Sequence, residues 1–178
     1  MDKKTLRTFL RKEREALGKL EKKLNAKAIV SSLIPLLEPF TTIGIYLALE
    51  DEVDVGDLLR LKQRFVVPVM QDEKHIAMCE YTRKQDLKVG RMKIQEPKTQ
   101  VFVDQKDIDV LIIPILGFDE NMHRLGQGGG YYDRYLQTFT GVKIGVAFEV
   151  QKSEYIPSEQ HDIDMDYIVS EAQIYKKK

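Results

Sequence analysis

The run Val110-Leu-Ile-Ile-Pro-Ile115 limits the fold of this chain more than any other stretch, because it is apolar on both faces of an extended strand. Such a strand has to be covered on both sides, as in the middle of a parallel sheet between helical layers. Further strand candidates are Ile43 to Ala48, Phe65 to Met70, Ile76 to Tyr81, Lys143 to Phe148 and Tyr167 to Val169. Between the first two, Val55, Leu58, Leu59 and Leu61 suit a short helix, so strand, helix, strand reads as a right-handed parallel crossover. Upstream, residues 2 to 17 predict a helix with Leu6, Phe9, Leu10 and Leu17 on one face. A second helix follows with Ala28, Ile29, Leu33 and Leu36 or Leu37 as its stripe, and Pro35 is expected to end or kink it. After the central run come a long polar loop, a helix from about Gly130 to Thr138 and the strand at Lys143. The expected fold is α/β, one three-layer α/β/α domain over residues 1 to 178 with a mostly parallel sheet. Residues 1 to 38 pack on its core as helices and 176 to 178 form a frayed tail. In such sheets the loops leaving the carboxyl ends of the strands build the ligand site, which points to residues 46 to 54 and 116 to 134.

Charge and composition narrow the partners. A chain of 178 residues is about one domain long, and its 28 basic and 28 acidic residues cancel to a net charge of +0. No protein-wide field gathers nucleic acid or anionic membrane, so neither is an expected partner. No apolar run approaches the roughly 20 residues of a spanning helix, and the amino terminus is too charged for a secretory segment. A cytoplasmic protein is expected. The single cysteine, Cys79, lies in the strand-like HIAMCEY and reads as a packed thiol. The histidines are isolated from one another, which argues against a zinc site.

The most informative loop is Arg124-Leu-Gly-Gln-Gly-Gly-Gly-Tyr-Tyr-Asp-Arg-Tyr-Leu136. Glycines ahead of a helix admit positive φ and let successive N–H groups meet an anion. Arg124 suits bidentate phosphate contact, and Asp133 could hold magnesium directly or through water. Neither common phosphate motif fits. A Walker A loop needs Lys-Ser/Thr after its last glycine, where Tyr131-Tyr132 stand, and a dinucleotide fingerprint from Gly126 needs glycine or alanine at Tyr131. A bare flexible connection is the bland alternative, but a hinge has no need of Arg124, the tyrosine pair and Asp133.

The segment RLGQGGGYYDRYL resembles the signature of the 5-formyltetrahydrofolate cyclo-ligases, also called methenyltetrahydrofolate synthetases, in its bacterial form. The resemblance extends along the chain through Lys3-x-x-x-Arg7, Tyr46-Leu-Ala-Leu-Glu-Asp-Glu-Val-Asp54, Gln95-Glu-Pro97, Pro114-Ile-Leu-Gly-Phe-Asp119 and His161-Asp-Ile-Asp-Met-Asp166. It implies a NagB/RpiA/CoA transferase-like fold and the ATP- and magnesium-dependent cyclisation of 5-formyltetrahydrofolate, polyglutamylated forms included, to 5,10-methenyltetrahydrofolate, by a monomer. By resemblance, Lys3, Arg7, Arg124, Leu125, Gly126, Gln127, Gly128, Gly129, Gly130, Tyr131 and Tyr132 bind ATP, with Lys3, Arg7 and Arg124 carrying the catalytic charge. Leu47 and Glu52, with Gln127 to Tyr131, bind the folate, and Asp133 and Asp166 hold magnesium.

Each set has a plainer reading. Lys3, Arg7, Arg11 and Arg14 could be a solvated basic face, and the resemblance lifts only Lys3 and Arg7 out of it, leaving Arg11 and Arg14 as surface charge. Glu50 to Asp54 could be a charged loop, with Asp54 capping the following turn. His161 receives no catalytic role. Gln127, where some relatives carry a basic residue, and Met92, near an aromatic in animal relatives, depart from the pattern. The alternatives are a non-catalytic nucleotide- or folate-binding domain on this scaffold and a phosphosugar isomerase-like enzyme, for which no general base stands out.

Overall fold

The computed structural model describes residues 1–82, 86–160 and 162–177; His161 of the acidic cluster and Lys178 of the expected tail lie outside them. The first helix, α1 (Lys3–Ala16), starts at Asp2, whose carboxylate accepts the Thr5 N–H at 2.7 Å. Its buried face is Leu6, Leu10 and Arg14, four residues apart. Phe9, expected in that seam, is 50% exposed, because a neighbour of Leu10 points about 100° away around the helix. Helix α2 (Lys19–Leu37) buries Ala26, Ile29, Val30, Leu33 and Leu37, while Ala28, expected in the stripe, faces solvent. Pro35 lies inside this helix, which ends soon after it at Leu37.

The strands are β1 (Thr42–Gly44), β2 (Arg64–Met70), β3 (Ile76–Tyr81), β4 (Leu87–Val89), β5 (Gln95–Pro97), β6 (Phe102–Val103), β7 (Val110–Pro114), β8 (Gly117–Phe118), β9 (Arg124–Leu125), β10 (Val142–Val146), β11 (Tyr167–Val169) and β12 (Ile174–Lys176). A third helix, α3 (Tyr131–Leu136), follows the glycines. The main sheet has the order β12-β11-β10-β7-β1-β2-β3-β6. It is parallel from β11 to β2, with antiparallel edges at β12, β3 and β6. The apolar run forms β7 near its middle. Val110 and Ile112 pack with α2 on one face, and Leu111 and Ile113 pack with Leu136 and Phe139 on the other. Both faces are therefore covered, which is why that run has no polar residue.

Several local expectations change. β1 stops at Gly44, and just beyond it the Ile45 N–H donates to the Val66 carbonyl at 2.8 Å. The segment expected to be helical after β1 is a short 3-10 turn over Gly56–Arg60, with the Asp54 carboxylate accepting the Gly56 N–H at 2.9 Å. The polar loop after β7 contains the hairpin β8–β9. At its turn the fully buried Asp119 accepts N–H groups of Asn121, His123 and Ile156, a tertiary role without sequence periodicity. Lys176, expected to fray, closes β12. Cys79 is buried as expected, and burial pushes its thiol pKa up. No helix of the described residues is long and apolar enough to cross a membrane.

Candidate active site

The carboxyl ends of β2 and β7, and the chain leaving β1, open onto a cavity of about 140 Å³. Ligand pockets commonly span roughly 300–1,000 Å³, so this space suits one ring system, with the rest of a larger ligand along its open rim. Tyr46, Leu47, Leu49, Met70, Ile76, Met92 and Ile94 form an apolar wall. Facing it are Arg124, the glycine loop, Tyr131, Tyr132 and Asp133.

On the apolar side, the Tyr46 hydroxyl donates to the Val53 carbonyl at 2.6 Å, folding the acidic segment back on itself. The Glu52 carboxylate accepts the Leu49 N–H at 2.9 Å and lines the cavity with Leu47. Burial raises the Glu52 pKa above the ordinary glutamate value, while the Leu49 N–H and the Arg14 charge oppose that rise. Arg14 is not the surface charge expected. It is buried at 6% exposure, its Nε has no hydrogen-bond partner among the described residues, and its charge is felt by Glu52 and Asp51. The helical period that buries Leu6 and Leu10 also buries Arg14.

On the polar side, Arg7 Nε donates to the Gly126 carbonyl at 2.9 Å, and Arg11 Nη2 donates to Gln127 Oε1 at 3.0 Å. Arg11, too, was expected only as surface charge. Gly126, Gln127, Gly129 and Gly130 line the cavity, whereas Gly128 backs onto the Arg7 guanidinium. Gly128 and Gly130 adopt φ of 107° and 68°, which L side chains resist. The Leu125 side chain turns away from the cavity into a buried cluster with Leu6, Leu10, Leu116 and Ile156, which fastens α1 beneath the loop. Arg124 is 7% exposed and paired through Nη2 with Asp133. Burial works against its charge, and Asp133 and Asp162 favour it. Lys3 Nζ contacts Asp162 at 2.7 Å and Glu159 at 3.0 Å. Both ends of the chain thus converge on the central loop.

Asp166 does not. Its Oδ2 accepts the Lys143 N–H at 2.8 Å and lies 2.9 Å from Lys143 Nζ. Strand pairing aligns Lys143 with Leu111, near the start of β7, whereas the cavity opens beside Pro114 at its end. A residue that directly precedes the strand Tyr167–Val169 sits at that strand's amino end. Parallel-sheet sites lie at the carboxyl end, a signal present in the sequence. The acid brought toward the site from the same cluster is Asp162, which the sequence reading passed over. Among the described residues no group of three or more His, Cys, Asp or Glu could hold a metal alone. Separate carboxylates, at Asp133 and Asp162, suit a magnesium ion that keeps waters and arrives with phosphates.

Residues 1–171 match the model of the 5-formyltetrahydrofolate cyclo-ligase family. A curated relative, the 5-formyltetrahydrofolate cyclo-ligase of Escherichia coli, is 32% identical over 146 residues, 76% of this chain and 80% of its own. The solved 5,10-methenyltetrahydrofolate synthetase of Aquifex aeolicus superposes with a TM-score of 0.88 at 29% identity, over 99% of this chain and 93% of its own. That of Mycoplasma pneumoniae does so with a TM-score of 0.80 at 28% identity, over 96% and 99%. A glycine loop gripped by both ends of the chain, at the carboxyl edge of this sheet, therefore has a family context, and the chain belongs to the 5-formyltetrahydrofolate cyclo-ligase family.

Proposed function

We propose that this chain converts 5-formyltetrahydrofolate to 5,10-methenyltetrahydrofolate at the expense of ATP, with magnesium as cofactor and ADP and phosphate released. The observation that carries the reading is the meeting of two arginines at one glycine loop: Arg124, which opens it from β9, and Arg7 from α1, whose Nε donates to the Gly126 carbonyl, with Lys3 of the same helix paired to Asp162. A formamide oxygen is a poor leaving group, so attack on its carbon by N10 stalls. Transfer of the γ-phosphoryl group to that oxygen makes it a good one. N10 then attacks the formyl carbon, the five-membered ring closes, and phosphate leaves with the original formyl oxygen.

Such chemistry asks the protein for positioning and charge neutralisation rather than for a nucleophile. In this reading Lys3, Arg7 and Arg124 bind the phosphates, and N–H groups from Gly126 to Gly130 receive the oxygens of the transferring group. Leu125 supports the loop from below, and Tyr131 and Tyr132 border both ligands. Glu52 accepts pterin N–H donors, with Leu47 against the ring. Asp133 and Asp162, in place of the expected Asp166, would hold magnesium, which when bound shields phosphate charge. The lone, buried Cys79 supports a cytoplasmic setting.

The test is spectrophotometric: purified protein with 5-formyltetrahydrofolate and magnesium, watched for absorbance of the methenyl product with and without ATP. An ATP-dependent rise is expected. Its absence would reject the reading in favour of a non-catalytic binding domain.

A further inference from the structure

Arg134, on α3 just past the tyrosine pair, has no part in the roles assigned above, yet it touches three separate pieces of the site. Its Nη2 donates to the Gly129 carbonyl at 2.7 Å. Its Nε donates at 2.6 Å to the Lys74 carbonyl, in the turn between β2 and β3. Its guanidinium carbon lies 5.6 Å from the centre of the Tyr131 ring, within cation–π range. The far anchor is itself built: Asp72 accepts the N–H groups of Lys74 and His75 at 2.7 and 2.8 Å.

The consequence follows from peptide geometry. In a trans peptide the C=O and the next N–H point to opposite sides. Turning the Gly129 carbonyl toward Arg134 therefore turns the Gly130 N–H away from it, and both glycines line the cavity. A Cβ at Gly130 would stand 2.7 Å from Arg134 Nη1, so the missing side chain is what admits the guanidinium. A Cβ at Gly129 would press on the Tyr131 ring at 2.6 Å, so loop, ring and guanidinium form one stack. Two carbonyls bound by two nitrogens of one planar group require an arginine; a lysine ammonium would reach them only as a point donor.

We propose that Arg134 is a positioning residue that sets the Gly129–Gly130 peptide, and with it the Gly130 N–H, in the orientation the phosphoryl oxygens need before any ligand arrives. The inference rests on the glycine loop being the phosphate cradle of the proposed reaction.

Two measurements test it. Amide hydrogen exchange of the ligand-free protein should show the glycine-loop amides exchanging about tenfold faster in Arg134→Gln, the scale of one charge-assisted hydrogen bond. Arg134→Lys should be intermediate. Unchanged loop exchange overturns the proposal whatever the activity. In steady-state kinetics Arg134→Gln should raise KM for ATP about tenfold and lower kcat, with KM for 5-formyltetrahydrofolate within about twofold. Partial recovery is expected in Arg134→Lys. Equal losses on both substrates, tracking a loss of folded protein, would mean a merely structural role and also overturn it. Failure of the reaction reading would appear separately, as wild-type protein that makes no product with ATP.

Discussion

On the glycine-loop side of the cavity, the cations proposed for ATP are already matched by protein partners. Arg124 pairs with Asp133, Lys3 with Asp162 and Glu159, and Arg7 Nε meets the Gly126 carbonyl. Across the cavity, Glu52 stands among Tyr46, Leu47 and Leu49, and burial raises its pKa. The first wall is neutralised by its own carboxylates, for which phosphates would exchange in the proposed reaction. The second leaves one acid in an apolar setting, where a hydrogen-bonding ligand gains most by meeting it. Substitutions on the loop side should therefore act on turnover and on ATP, and those on the apolar side on folate affinity and pH dependence.

The largest effect should come from Arg124→Ala. It removes a buried guanidinium at the head of the proposed phosphate loop and takes away the Asp133 ion pair. Turnover at saturating substrates should fall at least about tenfold; a near-normal rate would break the assignment of that wall to phosphate. Gly130→Ala comes next. An alanine at φ 68° costs roughly 1–2 kcal/mol, and its methyl group would displace Arg134. KM for ATP should rise several-fold, by about the factor that strain energy implies, with KM for folate little changed.

Glu52→Gln tests the apolar wall and should raise KM for 5-formyltetrahydrofolate by about tenfold, the loss of one charge-assisted interaction, leaving KM for ATP within about twofold. The sign of the pH effect follows from the raised pKa: Glu52 takes up its proton at a higher pH than an ordinary glutamate. Folate KM should therefore begin to rise at that higher pH as the solution is acidified, and this limb should flatten in Glu52→Gln. A KM that tracks acid identically in both proteins would remove Glu52 from folate recognition. The smallest effect is expected of Asp166→Asn, with turnover within about twofold of wild type, because Asp166 serves Lys143 at the other end of the strands. Asp162→Asn, by contrast, should lower turnover and weaken the magnesium dependence of the rate. The reverse ranking would return the metal to Asp166.

The legible and illegible parts of the molecule divide along similar lines. β2, β3, β7 and β11 were readable to within a residue, and β10 nearly so, since apolar runs of strand length report burial on the sheet itself. The two-residue strands β8 and β9 were not, because they are held by a buried Asp119 whose partners include Ile156, 37 residues away. In the site, Arg124, the glycines, Asp133, Glu52 and Leu47 all reach the cavity or its loop. Leu125 instead supports the loop, and Asp166 lies elsewhere. The ties of Arg11 and Arg134 to the glycine loop, and of Arg14 to Glu52, were invisible. An arginine's letter is the same whether it faces water, a loop carbonyl or a buried acid.

Residue order alone carried the parallel α/β layout and the family, since each depends on local periodicity or on a contiguous motif. Tertiary structure decided the pairing of charges. Whether Lys3 meets Asp162, Arg124 meets Asp133, or Asp166 is kept by Lys143 depends on which strand ends lie together. That is a matter of sheet register and crossover, in which 159 residues of sequence separate Lys3 from an acid 2.7 Å away. Electrostatic energy follows distance through space, and sequence patterns report distance only along the chain.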